Sequence, residues 1–165
     1  MENELSIIGI NNLKKRIRKE IELLIQQNLT TENDIKIKRT FGNCFEYDVS
    51  FKNHKDNKYY KFVISHNYPF NSPTVFINEK SVMLNHYSNN SDFRNSLKKY
   101  TGYECFCCET ILCGNNWNPS CTITRALDDI NKFRDARRQV IVRIIVDVIK
   151  RKYLINDTNI IEWLY

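Results

Sequence analysis

The stretch YECFCCETILCGNNWNP, residues 103–119, holds the side chains best suited to chemistry in this 165-residue chain. Cys105, Cys107, Cys108 and Cys113 lie inside it and Cys121 follows, which leaves only Cys44 elsewhere among the six cysteines. Several chemistries suit such a cluster. One exposed thiolate is a nucleophile that can carry an acyl group as a thioester. Four thiolates can hold a structural zinc ion in a tetrahedron. Cys105 and Cys108 supply a C-x2-C pair for that, with Cys113 and Cys121 to complete it, although the His expected of so compact a knuckle is missing. Cysteines outside either arrangement, Cys44 among them, read as small apolar packing residues.

The elements that position this segment follow from periodicity. Residues 11–28 place Leu13, Ile17, Ile21, Leu24 and Ile25 at helical spacing, with Lys14, Lys15, Arg16, Arg18 and Lys19 on the other faces. The period then becomes two. Residues 34–40 (DIKIKRT), 44–51 (CFEYDVSF), 58–66 (KYYKFVISH) and 74–78 (TVFIN) read as four strands, the third with Tyr60, Phe62 and Ile64 on one face. Short turn-like links and no intervening helix make them an antiparallel meander. Residues 79–104 show no clear strand, and Asp92–Lys99 reads as a short helix capped by Ser91 or Asp92. Thr122 is an N-cap for a helix with the apolar stripe Ala126, Leu127, Ile130 and Phe133. A second pattern, Val140, Ile141, Ile144, Ile145, Val148 and Ile149, continues to about Leu154, and Ile160, Ile161, Trp163 and Leu164 form a last turn. The expectation is one α+β domain over 1–165, with a core of about 10–135 and a helical extension of 136–165.

Bulk properties narrow the partners. A hydrophobic share of 42% and a charged share of 27% fit an ordinary globular domain. The net charge of +6 collects in residues 14–19 (KKRIRK), Arg137–Arg138 and Lys150–Lys152, without any nucleic-acid recognition motif, so no nucleic-acid partner is expected. The strongest apolar run, residues 139–149, contains Arg143 and Asp147 and is too short to span a bilayer, so no membrane association is expected either. The first residues, MENELSIIGINN, lack a secretory pattern. An intracellular location follows as the expectation, cytoplasmic and with the nucleus also open. The cysteines would then be reduced, and a disulfide framework is not expected.

Two motifs, in this order of elements, resemble the ubiquitin-conjugating enzyme catalytic domain. The first, FVISHNYPFNSPTVFIN (62–78), is similar to the family's strand, Tyr-Pro-Phe loop, second proline and next strand. The second, CETILCGNNWNPSCTITRALDDI (108–130), is similar to its run of active cysteine, Ile-Leu, short polar link, Trp-x-Pro and following helix. The resemblance implies a transferase that takes ubiquitin, or a ubiquitin-like protein, as a cysteine thioester and passes it to a lysine amine, with no cofactor. It implies an activating enzyme docked on the basic first helix. It also implies a RING-type ligase on the Tyr-Pro-Phe and Trp-x-Pro loops, touching Pro69, Phe70, Pro119 and Ser120.

Within that resemblance the spacing to Ile111-Leu112 puts the reactive cysteine at Cys108, whereas anchoring on Trp117 points to Glu109, because the link from Leu112 to Trp117 is longer than the usual pattern. Cys107 is the rival. Trp117, Pro119, Asn115 and Asn116 shape the loop beside it. The family's His-Pro-Asn triplet, whose Asn is assigned an oxyanion-stabilising role, is absent, which leaves His86, Asn89 and Asn90, with Asn115 and Asn116, as candidates for an amide donor near developing charge. Glu109 and Asp128 are the acids near enough in sequence to deprotonate an incoming amine. Asp128 and Asp129 fall where the family often has apolar or small residues facing donor ubiquitin. Without the triplet, a catalytically inactive variant that binds ubiquitin or another partner is the alternative, and a zinc-stabilised interaction domain the third.

Overall fold

In a computed structural model of the protein, residues 2–41, 45–82 and 91–153 are described, without the side chains of residues 2–10, 41, 45, 92, 106, 107 and 153. Helix α1 (Glu2–Gln26) leads into a 3-10 turn (Glu32–Asp34) and strands β1 (Lys36–Phe41), β2 (Phe45–Asn53), β3 (Lys58–Ser65), β4 (Thr74–Ile77) and β5 (Lys80–Ser81). Helices α2 (Ser91–Thr101), α3 (Phe106–Glu109) and α4 (Ile123–Tyr153) are the remaining described elements. The fold is therefore α+β: an N-terminal helix, one antiparallel sheet in the order β1-β2-β3-β4-β5, and C-terminal helices.

The alternation in the strands sets which face is buried. Tyr47, Val49 and Phe51 of β2 oppose Ile64, Phe62 and Tyr60 of β3, and all six are buried. Phe51 stacks on Phe62 with centroids 6.0 Å apart and on Tyr60 at 5.9 Å. Onto this face come Leu13, Ile17 and Leu24 of α1 and Ala126, Leu127 and Ile130 of α4, which belong to the apolar stripes read from helical spacing, together with Ile123. Burial of side chains this size contributes roughly 1.5–3 kcal/mol each before the entropy of ordering is subtracted.

Among the described residues five strands replace the expected four. The fifth forms a hairpin with β4 across Asn78 and Glu79, at φ +46° and +66°. Two consecutive left-handed residues make the tight two-residue turn that matches strand twist. The usual signal for it is Asn-Gly; Asn-Glu hides the turn, and residues 79–104 consequently read as strandless. Helix α1 begins before the expected residue 11 and ends at Gln26, where Asn28 at φ +53° closes it with Leu29 N donating to Leu24 O at 3.0 Å. Helix α2 is longer than 92–99 and includes both residues expected to cap it. Helix α3 was not expected. The two C-terminal patterns merge into α4, which passes unbroken through residues 135 and 136. The last turn expected at 160–164 lies outside the described residues. No described helix is long and apolar enough to cross a membrane.

A second, smaller core joins α2 to the middle of α4 through Phe93, Leu97, Phe133 and Val140. Tyr100 of α2 donates its hydroxyl to Asp147 Oδ2 at 2.6 Å and lies under the Arg143 guanidinium, 5.1 Å from the ring centroid. Gly102, at φ +77°, ends α2 by donating to Lys98 O at 3.1 Å, the left-handed cap that glycine adopts without steric cost.

One charged residue is out of place on the apolar stripe of α1. Glu20 is 1% exposed. Its Oε1 accepts the Tyr68 hydroxyl at 2.7 Å and its Oε2 accepts the backbone N–H of Ile123, the first residue of α4, at 2.9 Å. Arg16 Nε lies 2.8 Å from Oε1 but off the N–H axis, so the contact is an ion pair rather than an aligned hydrogen bond. A second Arg16 nitrogen donates to Cys121 O at 2.8 Å.

Two predictions follow from these contacts. Removing one partner of a buried ion pair costs about 3–5 kcal/mol, and partial exposure of Arg16 lowers that range, so Glu20→Ala should lose about 2–4 kcal/mol in urea unfolding. Glu20→Gln, which keeps an acceptor for Ile123 N–H, should lose less. A Glu20→Ala midpoint equal to wild type would remove the central role given to this carboxylate. The second concerns acid. The Tyr100 hydroxyl holds the Asp147 carboxyl below its ordinary value of 3.8. The stabilisation is present above that value and is lost as pH falls through the lowered one. Acidification below about pH 4 should therefore loosen α2 from α4, and Tyr100→Phe should remove that part of the pH dependence, measured by amide exchange in α2.

Candidate active site

The segment between α2 and α4 is built largely by hydrogen bonds to the main chain. Cys108 sits on the four-residue helix α3, is exposed and carries a thiol. After it the chain turns tightly. Cys113 N donates to Thr110 O at 3.1 Å, and Asn116 N and Trp117 N both donate to Cys113 O, at 2.9 and 3.1 Å. Asn116 reaches back over the turn, its side-chain amide donating to Cys108 O at 2.6 Å and to Thr110 O at 2.9 Å. From the far side Asp129 of α4 accepts both the Thr110 hydroxyl and, at 2.9 Å, the Ile111 N–H. Asn116 and Asp129 thus hold the backbone on both sides of Thr110, which is buried.

Trp117 joins this segment to the loop between β3 and β4. Its indole N–H donates to Pro69 O at 2.8 Å, and its ring lies 5.9 Å from that of Tyr68. The Tyr68–Pro69 peptide is cis. Tyr68 is buried, while Phe70 is 74% exposed. Burial, followed by the Glu20 carboxylate beside it, pushes the Tyr68 phenol well above its usual range, so it remains a hydrogen-bond donor at all ordinary pH. Pro119 and Ser120 are exposed beside the indole loop, and Asn118 Oδ1 fixes that corner by accepting Ser120 N–H at 3.0 Å. Thr122 caps α4 as expected, its hydroxyl accepting Arg125 N–H at 3.2 Å.

One expectation about sulfur is corrected. Cys105 is disulfide-bonded. The expectation of reduced cysteines rested on cellular compartment alone and ignored how densely this segment carries them. Of the set Cys105, Cys108, Cys113 and Cys121 read as an alternative zinc site, Cys108 is exposed and Cys113 half-buried. Cys105 is oxidised, Cys121 is buried in the main core, and among the described residues no three His, Cys, Asp or Glu side chains gather as a metal site. The packing role of Cys121 agrees with its place at the mouth of α4.

Other site expectations sort by their surroundings. Both N–H groups of the Asn116 amide are spent on backbone carbonyls, so Asn116 holds the loop and has no donor left for an oxyanion. Asn115 is exposed at the turn, as are Glu109 and Asp128. Asp129 is half-buried and engaged with the cysteine loop rather than projecting from the helix beside Asp128. His86, Asn89 and Asn90 lie outside the described residues, and the side chain of Cys107 is not described. Sequence reasoning missed Glu20 and Thr110. The one signal for Glu20 was a carboxylate between Ile17 and Leu24 on the buried stripe of a helix.

The chain matches no protein-family model, no curated protein and no solved structure.

Burial sets the order in which the described thiols should react. Under native conditions iodoacetamide should modify Cys108 first, half-buried Cys113 more slowly, and buried Cys121 only on unfolding. Mass spectrometry of timed digests measures this, and early labelling of Cys121 would contradict the packing described.

Proposed function

We propose that this chain is a divergent ubiquitin-conjugating enzyme, with Cys108 as the residue that receives ubiquitin or a ubiquitin-like protein as a thioester. The observation that carries the reading is a juxtaposition. An exposed thiol on a short helix leads into the loop that the Trp117 indole ties to Pro69, beside the exposed Phe70 and the mouth of α4. An antiparallel meander with a preceding helix and a following helix supports the same fold family, while the fifth strand departs from its four-strand pattern.

The chemistry needs little from the rest of the site. The Cys108 thiolate attacks the carbonyl of the activating enzyme's thioester, and the tetrahedral intermediate collapses by expelling that enzyme's thiolate. A neutral lysine amine then attacks the new thioester, Cys108 leaves as thiolate, and the amine's proton passes to solvent or to a nearby carboxylate such as exposed Glu109 or Asp128. Asn116 and Asp129 act on the first link of this sequence, since they fix the backbone from which Cys108 projects. Exposed Lys14, Lys15, Arg18 and Lys19 on α1 would meet the activating enzyme. Phe70, Pro69, Pro119 and Ser120 would meet a RING-type ligase.

A second reading is supported by the Asn116 geometry. With both amide hydrogens committed to the loop, the domain could hold ubiquitin or another partner without completing transfer to lysine. One experiment separates the two. Incubated with activating enzyme, ATP and ubiquitin or a ubiquitin-like protein, the protein should form an adduct on a non-reducing gel that thiol reagents release. Cys108→Ala should abolish it, and Cys107→Ala should retain it. Asn116→Ala should slow adduct formation about tenfold, the effect expected of a lost positioning contact. Absence of any adduct with every modifier tried favours the binding module, and persistence in Cys108→Ala overturns the choice of cysteine.

A further inference from the structure

The C-x2-C pair of Cys105 and Cys108 enters the acyl-transfer reading only through its second sulfur. The two residues are in opposite redox states. Cys105 is disulfide-bonded, while Cys108, Cys113 and Cys121 carry thiols, so none of these three is its partner. Cys108 therefore stands three residues from an oxidised sulfur that it does not itself hold. Cys105 immediately precedes α3, and Cys108 is the third residue of that helix. Residues about one helical turn apart have Cβ atoms about 5–6 Å from each other, and a disulfide needs about 3.5–4.5 Å. A helix of four residues can close that gap, because no further turns propagate it and hold it rigid. Cys108 is exposed, so its sulfur is able to rotate, while the Asn116 amide holds its carbonyl at 2.6 Å. The other described thiols are worse placed. Cys113 is half-buried beyond the Thr110 turn, and Cys121 is packed in the main core.

We propose that Cys105 and Cys108 are a thiol–disulfide exchange pair that switches the candidate nucleophile off. The Cys108 thiol gives its proton to solvent, and the thiolate attacks Cys105 Sγ. A Cys105–Cys108 bond forms, the existing disulfide bond of Cys105 breaks, and the displaced sulfur leaves as a thiolate that takes up a proton. One disulfide is traded for another, so no outside oxidant or reductant enters the step. Attacker and target share one short segment, which makes the step intramolecular and favours it over attack by a thiol of another molecule. A Cys108 sulfur held in this bond is no thiolate and does not attack a carbonyl. The loss of acyl transfer rests on the role given to Cys108 above; the exchange itself does not.

The test uses the full chain purified without reductant. One portion is quenched with acid at once, and another is first held at about pH 8.5 to generate thiolate. Thiols are then blocked with N-ethylmaleimide, chymotrypsin cuts after Phe106, and fragment spectra assign each linked sulfur. The first portion should show Cys108 alkylated and Cys105 tied to a different cysteine. The held portion should show a Cys105–Cys108 link, with alkylation of Cys108 down about threefold or more and a newly alkylated cysteine in its place. Cys108→Ser should leave the Cys105 linkage unchanged by the hold. Absence of the other Cys105 disulfide at the start overturns the proposal. So does a held portion without the Cys105–Cys108 link, a link that forms in urea but not in the folded chain, or capture of Cys105 by Cys113. The gel assay for the modifier adduct separates this inference from the functional one. After the hold, adduct should fall about threefold or more in wild type and stay unchanged in Cys105→Ser. Adduct undiminished in a chain that carries the link overturns the switch. A chain that makes the link yet forms no adduct in either portion supports the exchange and overturns the role of Cys108 in acyl transfer.

Discussion

The Glu20 carboxylate is where three separate parts of the chain meet. It joins α1 through Arg16, the β3–β4 loop through the Tyr68 hydroxyl, and the start of α4 through the Ile123 N–H. A buried charge is tolerated only when its lone pairs are taken up, and here they are, by one cation, one phenol and one peptide donor. The first N–H groups of a helix have no partner within the helix and carry partial positive charge. Glu20 therefore serves α4 as a cap delivered from another element. Tyr68 passes the constraint outward, since its ring packs against Trp117 and the indole N–H reaches Pro69 O. The orientation of the cysteine loop thus traces back to one side chain on the first helix.

That loop is held mostly by side chains that bond its backbone. Asp129 accepts from Thr110 and Ile111, Asn116 donates to the carbonyls of Cys108 and Thr110, and Arg16 donates to the carbonyl of Cys121. Asp129 illustrates how local sequence can mislead. With Asp128 it reads as an acid on a face turned toward a bound modifier, yet its position one turn after Ala126 and one before Phe133 keeps it near the covered face. The disulfide at Cys105 adds a covalent restraint at the entrance to the same segment.

Much of the architecture was legible in period and punctuation. The alternation of Tyr60, Phe62 and Ile64, and the helical spacing of Leu13, Ile17 and Leu24, each mark a buried face because burial acts on every second residue of a strand and every third or fourth of a helix. Thr122 was readable as a cap for the same local reason. What escaped depends on long-range partners or on atypical residues. The β4–β5 turn uses Glu79 where glycine is the usual marker. The union of two helical patterns into α4 was hidden because the stripe shifts from one core to another near Phe133 and Val140. Glu20 and Thr110 are polar residues buried by partners 48 or more, and 19, positions away, which no local window contains. The candidate thiol, Cys108, was picked out by its spacing to Ile111-Leu112. The restraints around it were not.

Because Asn116, Asp129, Arg16 and Trp117 grip peptide groups, the shape of the cysteine loop is largely independent of which side chains line its rim. Cys108, Glu109 and Asn115 project from a frame whose hydrogen bonds would survive their replacement. Such a frame separates evolvability from integrity: the residues around the thiol are free to drift toward a new partner or a new leaving group, while the few that hold the backbone are bound to stay. A chain can then lose all recognisable likeness at the rim and still present its sulfur in the same place.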